Sequence, residues 1–187
     1  MRGVVIPNVG GGNMSELTLF NSVGLRSLIN SQDVGLLFCF GKSMISKIIQ
    51  AKTRVDNYEV VPSHVAIVFN GYIYESTTEV VHVNNKTIPS GVRRWQLKDY
   101  FKSEKKKETE YYFYPTVIYI DELEKYVHYP YGKDTIVDFL LQDGSDGVSK
   151  GLICSQYANR VTKLMAKDCP SPAELFRYCR KLEDVKQ

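Results

Sequence analysis

Cysteine spacing of the metal-binding kind is missing from this chain. Cys39, Cys154, Cys169 and Cys179 include no Cys-x-x-Cys pair, and none stands with a histidine at zinc-finger spacing. Long apolar runs are missing too. Stretches such as Leu36-Leu37-Phe38-Cys39-Phe40 are far shorter than the roughly 20 residues that span a bilayer. Neither sign of charge dominates: 24 Lys and Arg stand against 21 Asp and Glu, a net charge of +3. That balance leaves no electrostatic footprint for a nucleic acid. The run Lys105-Lys106-Lys107 is flanked by Glu104 and Glu108, and reads as a solvated loop rather than a phosphate or lipid patch. A secretory leader is not visible, because Met1 to Ile6 is cut off by Pro7 and then by Gly10-Gly11-Gly12. No internal repeat or long linker interrupts the rest. Reduced thiols without a leader point to the cytoplasm of a cell or an infected host. Delivery in a virion or release by lysis is compatible with the same features.

What is there is ordinary for a globular protein. The chain has 187 residues, 43% hydrophobic and 24% charged, enough for one domain with a sizeable core. Residues 1–14 read as a flexible segment and 15–187 as a single domain. Residues 15–30 read as a short amphipathic helix, 33–40 as a buried strand, and 43–51 as a helix with Ile45, Ile48 and Ile49 inward. Strands are expected at 63–69, 72–76, 80–83 and 111–114. Helices are expected at 95–100, 120–128, 134–141 and 153–166, with Tyr129-Pro130-Tyr131-Gly132 as a turn. Ser171, Pro172 and Glu174 have the pattern of a capping box with proline at the first helical position, and so open a last helix. The fold class is α+β, one antiparallel sheet packed against helices.

The chemistry-bearing residues fall in three short segments. Asn70-Gly71 separates two strand-like runs, and this dipeptide is the strongest two-residue hairpin signal because both turn positions need positive φ. Phe69 then faces Tyr72, Ala66 faces Glu75 and His64 faces Thr77. Glu75 becomes the diagonal neighbour of His64 on one face, roughly 7–8 Å away. A carboxylate there can accept the imidazole N–H and stabilise the imidazolium. Glu79 and Thr77 are competing partners, and a purely structural histidine is the plainer alternative. Cys154 falls in the first turn of the helix over 153–166, with Cys154, Ala158, Val161 and Met165 on its inward face. Unpaired N–H groups and the helix dipole favour an anion there, and a protonated His64 nearby would lower the thiol pKa further. A small core cysteine is the plainer reading of Cys154 taken alone. A metal set of His64, His82 and Cys154 lacks a closely spaced ligand pair.

The ordered segments also resemble a known family. Asp33-Val34-Gly35-Leu36-Leu37-Phe38, Ser63-His64-Val65-Ala66-Ile67-Val68 and Tyr74-Glu75 followed by Gly91-Val92 come first. Tyr131-Gly132-Lys133-Asp134, Cys154-Ser155 and Ser171-Pro172-Ala173-Glu174-Leu175 come after them. Over roughly residues 31–178 the chain resembles the circularly permuted branch of NlpC-type papain-like hydrolases, typified by YiiX-like proteins and their poxviral relatives. The order His, acid, Cys is the reverse of ordinary papain-like chains. Lecithin:retinol acyltransferase relatives share that order but usually carry a second His where this chain has Glu75. YiiX-like proteins tend to have Glu after Cys-Ser, where this chain has Gln156.

The resemblance implies a permuted papain-like fold and a thiol hydrolase without cofactor. Cys154 would be the nucleophile, His64 the base and Glu75 its orienter, acting on a peptide, isopeptide or acyl-lipid carbonyl. The Cys154 N–H would bind the oxyanion, with Tyr131 and Ser63 as further candidates for polar help in the cleft. Two other readings stand beside it: a papain-fold module that only binds, and a lipid acyltransferase or thioesterase.

Overall fold

Residues 35–40 are apolar on both sides of the pleat, and the fold buries both sides. Leu36, Phe38 and Phe40 enter a layer shared with Tyr157, Leu175 and Phe176. Leu37 and Cys39 enter a second layer with Leu25, Trp95, Tyr100 and Phe101. A strand covered on both faces reads as a continuous apolar run, which is why this segment stood out in the sequence.

The computed structural model describes residues 3–4, 19–21, 24–25, 29, 32–56, 59–83, 86–102, 109–132 and 151–185. The lysine run at 105–107, the helix expected at 134–141 and most of segment 1–14 lie outside these residues. The first half comprises β1 (Gly3–Val4), β2 (Gly35–Phe40), α1 (Met44–Thr53), β3 (His64–Phe69), β4 (Tyr72–Thr77), β5 (Val81–Val83) and β6 (Lys86–Ile88). Then come β7 (Gly91–Gln96), α2 (Leu97–Tyr100), β8 (Glu110–Pro115), β9 (Ile118–Tyr119), α3 (Ile120–Lys125), α4 (Cys154–Thr162) and α5 (Pro172–Asp184).

The central sheet has five antiparallel strands in the order β7-β4-β3-β2-β8. The α+β class is as expected, but the sheet is not single. β1 pairs with β9, and β5 with β6, in separate two-stranded ladders. The expected strand at 80–83 is therefore β5, outside the main sheet. Trp95, expected to open a helix, instead lies in β7, and only Leu97–Tyr100 turns helical. Cross-strand pairing to β4 decides that segment, and Trp95 packs edge-on against Tyr100 at 4.9 Å.

Other expectations shift for local reasons. The helix expected to reach residue 166 ends at Thr162. Lys163 adopts a left-handed φ of 54°, and the Asn159 side chain takes the N–H of Met165 and donates to the carbonyls of Met165 and Lys167. α3 stops at Lys125, before His128 with its positive φ of 75°. Phe20, expected in a helix, is extended and exchanges two backbone hydrogen bonds with Tyr111 of β8. In α1 only Ile49 turns inward. Ile45 and Ile48 are 64% and 45% exposed, so their burial was a wrong expectation: the helix buries a narrower stripe than its periodicity suggested. At α5 the capping box forms as read, with Ser171 Oγ accepting from Glu174 N–H and the Glu174 side chain accepting from Ser171 N–H. Among the described residues no helix is long and apolar enough to cross a membrane.

Candidate active site

The site begins at the turn. Asn70 and Gly71 have φ of 49° and 74°, the two positive values a tight hairpin requires, and Phe69 faces Tyr72. The β3–β4 ladder runs from there to Ile67 opposite Tyr74 and stops. The expected pairs Ala66 with Glu75 and His64 with Thr77 lie beyond its end. There Leu152 and the first residue of α4 take partners from the two strands. Ser76 Oγ donates to the carbonyl of Leu152, and the Val65 N–H donates to the Cys154 sulfur.

Backbone contacts hold the residues ahead of α4. The Leu152 N–H reaches the Pro130 carbonyl at 3.0 Å, and the Gly132 N–H reaches the Leu152 carbonyl at 3.3 Å. Gly151 permits the approach. A Cβ there would meet Tyr131 C at 2.5 Å and Pro130 O at 2.6 Å. Cys154 follows as the first residue of α4, behind Ile153, whose side chain offers no cap. Hence the first N–H groups of α4 are not drawn off by a capping side chain, and that of Ser155 donates to the sulfur.

His64 and Glu75 meet although the ladder between their strands has ended. His64 Nε2 lies 2.8 Å from Glu75 Oε2, and Glu75 has no exposed surface. Thr77, one of the competing partners, instead accepts the Glu79 N–H with its hydroxyl. His64 also hydrogen-bonds the Cys154 side chain. With Nε2 directed at Glu75, the nitrogen left for the sulfur is Nδ1.

Electrostatics bind the three groups into one unit. Burial by itself would lower the His64 imidazole, but the Cys154 thiolate and then the Glu75 carboxylate outweigh it and raise it from 6.5 to about 9. Burial would raise the Cys154 thiol. The adjacent imidazolium, then the N–H groups of Val65 and Ser155, hold it below the usual thiol value. Thiolate and imidazolium therefore coexist in a window whose alkaline edge is near pH 9. Cys169 and Cys179 move the other way, both raised chiefly by burial. None of the four cysteines forms a disulfide.

The pair opens on a pocket of about 710 Å³. Ser63 and Tyr131 line it, as do Ile45, Val80 and Lys42. Burial and then the Cys154 charge push the Tyr131 hydroxyl well above its ordinary value, so it stays a protonated donor. Ser63 Oγ lies 3.4 Å from the Gly41 N–H and 3.5 Å from the Cys39 carbonyl, fastening the wall between β2 and β3. His82 sits on the β5–β6 ladder, where its Nδ1 meets Thr87 Oγ1 at 3.1 Å. Among the described residues no cluster of His, Cys, Asp and Glu could hold a metal ion.

Sequence reasoning missed Arg93. It stands opposite Glu75 on β7 and is 3% exposed. Its Nη2 and Nε reach Glu75 Oε1 at 2.8 and 3.2 Å. The overlooked signal was the strand itself: pairing Gly91-Val92-Arg93 with Glu75-Ser76-Thr77 places the two charges face to face. Comparison with models of known protein families, with curated proteins and with solved structures finds no match.

Proposed function

We propose that this chain is a cysteine-dependent hydrolase built on a circularly permuted papain-like fold. The observation that carries the reading is the row Cys154–His64–Glu75. A thiol at a helix start is hydrogen-bonded to an imidazole whose other nitrogen lies 2.8 Å from a buried carboxylate. The central antiparallel sheet, with the helix that starts at Cys154 packed on β3 and β4, supports the fold assignment.

The mechanism follows from the protonation states. The Cys154 thiolate attacks a substrate carbonyl carbon, and the carbonyl π electrons move onto oxygen. The Cys154 N–H, at the uncapped start of α4, stabilises that oxyanion. Tyr131 is placed in the pocket to add a second donor. As the tetrahedral adduct collapses, the C–N or C–O bond breaks and His64 Nδ1–H protonates the departing amine or alcohol. A thioester remains on Cys154. Neutral His64 then takes a proton from water, whose oxygen attacks the thioester carbonyl. As that second adduct collapses the C–S bond breaks, the acid leaves, and the Cys154 thiolate beside protonated His64 restores the ion pair. Glu75 keeps the imidazole in one orientation and stabilises its charge through both steps.

Substrates in reach are a peptide or isopeptide amide and an acyl-lipid ester. A lipid acyltransferase or thioesterase would run the same first half-reaction and differ in the acceptor or leaving group. A binding module would use the pocket without the sulfur. Four cysteines outside any disulfide suit a reducing compartment such as the cytoplasm of a cell or infected host.

Labelling the full chain near neutral pH tests the reading, with iodoacetamide and with an activated acyl ester followed by mass spectrometry. Cys154 should label well ahead of Cys39, Cys169 and Cys179, and His64→Ala should slow it. Cys154→Ser should lose both the adduct and hydrolysis of the ester. Equal labelling of all four thiols, or undiminished hydrolysis by Cys154→Ser, would sink the proposal.

A further inference from the structure

We propose that Arg93 is a positioning residue of this site: it clamps one oxygen of Glu75 so that the other is presented to His64, and it ties that carboxylate to the pocket wall. This rests on the thiol-hydrolase reading and adds a fourth member to the row.

The guanidinium is used on several sides. Nη2 and Nε converge on Glu75 Oε1, at 2.8 and 3.2 Å. Nη1 donates to the carbonyls of Glu79 at 2.6 Å and Pro89 at 3.4 Å. The Cζ lies 5.0 Å from the Trp95 ring centroid, so the plane of the group is held as well. Glu79 and its neighbours Thr78 and Val80 line the pocket. One side chain thus fixes the carboxylate behind the base and the wall in front of it. A lysine ammonium is a single point and lacks the planar fork that spans both.

Charge gives the arrangement a second consequence. Glu75 is fully buried and needs counter-charge. Arg93 supplies it, so Glu75 keeps a cationic partner when His64 loses its proton. The groups that act on His64 directly are Cys154 from α4 and Glu75 from β4, while Lys42, Glu79 and Tyr131 line the same pocket. Arg93 acts on it by way of Glu75.

NMR titration of the full chain carrying ¹³C-labelled histidine tests this, with exposed His82 and His128 as internal references. In Arg93→Gln, His64 becomes the counter-charge on which Glu75 depends, so its titration midpoint should rise by about one unit, tenfold in proton affinity. A midpoint that stays put or falls overturns the proposal. In the Glu75→Gln background the same Arg93→Gln change should shift the midpoint less. A shift of undiminished size there means Arg93 does not act through Glu75, and overturns it as well. If Arg93→Gln does not fold, Arg93→Lys takes its place. The charge survives, so the midpoint should stay near that of the wild type, while acyl-ester labelling of Cys154 slows severalfold. Wild-type labelling in folded Arg93→Lys overturns the positioning role. Wild-type Cys154 that labels no faster than the other thiols sinks the hydrolase reading itself. A fast Cys154 with an unresponsive His64 sinks the Arg93 assignment alone.

Discussion

Glu75 is a carboxylate without exposed surface between two cationic side chains, His64 on one oxygen and Arg93 on the other. Its role can be read from the sign of its effect. A carboxylate favours the charged imidazole, and together with the thiolate it raises His64 from 6.5 to about 9. Glu75→Gln removes that attraction and leaves Arg93 without its counter-charge, so the His64 midpoint should fall. The thiolate–imidazolium window then narrows from its alkaline side. Turnover of an activated acyl ester should drop by about a hundredfold or more, because the imidazole loses both orientation and charge support. NMR titration and steady-state rates measure the two effects. Wild-type values in both would remove Glu75 from the site.

Among the elements, the start of α4 matters most, because it aims the sulfur. Two backbone hydrogen bonds fasten Leu152 to Pro130 and Gly132, and they are possible only because Gly151 has no Cβ. Gly151→Ala forces backbone against backbone. It should cost about 1–3 kcal/mol of stability and slow Cys154 labelling, since the whole approach to the helix must move. Gly24→Ala is the matched control. The nearest atom to its added Cβ is a side-chain oxygen at 3.6 Å, an ordinary contact, so labelling should be unchanged. Urea unfolding and labelling rates separate the two variants. Equal effects from both would show that the close pass at Gly151 is not what positions Cys154.

At the scale of the molecule, a five-stranded sheet is buried between two apolar layers. Phe176 of α5 joins sheet to helix, with its ring 5.1 Å from Phe38 and 5.5 Å from both Phe40 and Tyr112. Phe176→Ala should cost about 3–5 kcal/mol in urea unfolding. Ile48→Ser should change stability by about 1 kcal/mol or less, because the residue is already nearly half exposed. A comparable loss from Ile48→Ser would mean that α1 buries the face its periodicity first suggested.

Short-range chemistry was legible in the chain. Asn70-Gly71 specified a hairpin because the turn's positive φ angles restrict it to a few residue types. Ser171, Pro172 and Glu174 announced the start of α5 because a capping box is satisfied within four residues. The His64–Glu75 pairing followed from the same local count. β7 was not legible: Arg93 and Arg94 blur its alternation, and its strand character comes from pairing with β4. Arg93 went unseen with it. The exposure of Ile45 and Ile48 was equally hidden, since periodicity gives a face but not the width of what covers it. Proximity of Cys154 to His64, 90 residues apart in number, belongs to the tertiary structure alone. It arises where the β3–β4 ladder ends and Leu152, just ahead of α4, bonds to Ser76 of β4 and to the backbone of Pro130 and Gly132. Such non-local backbone pairing leaves no periodicity in the residues that make it.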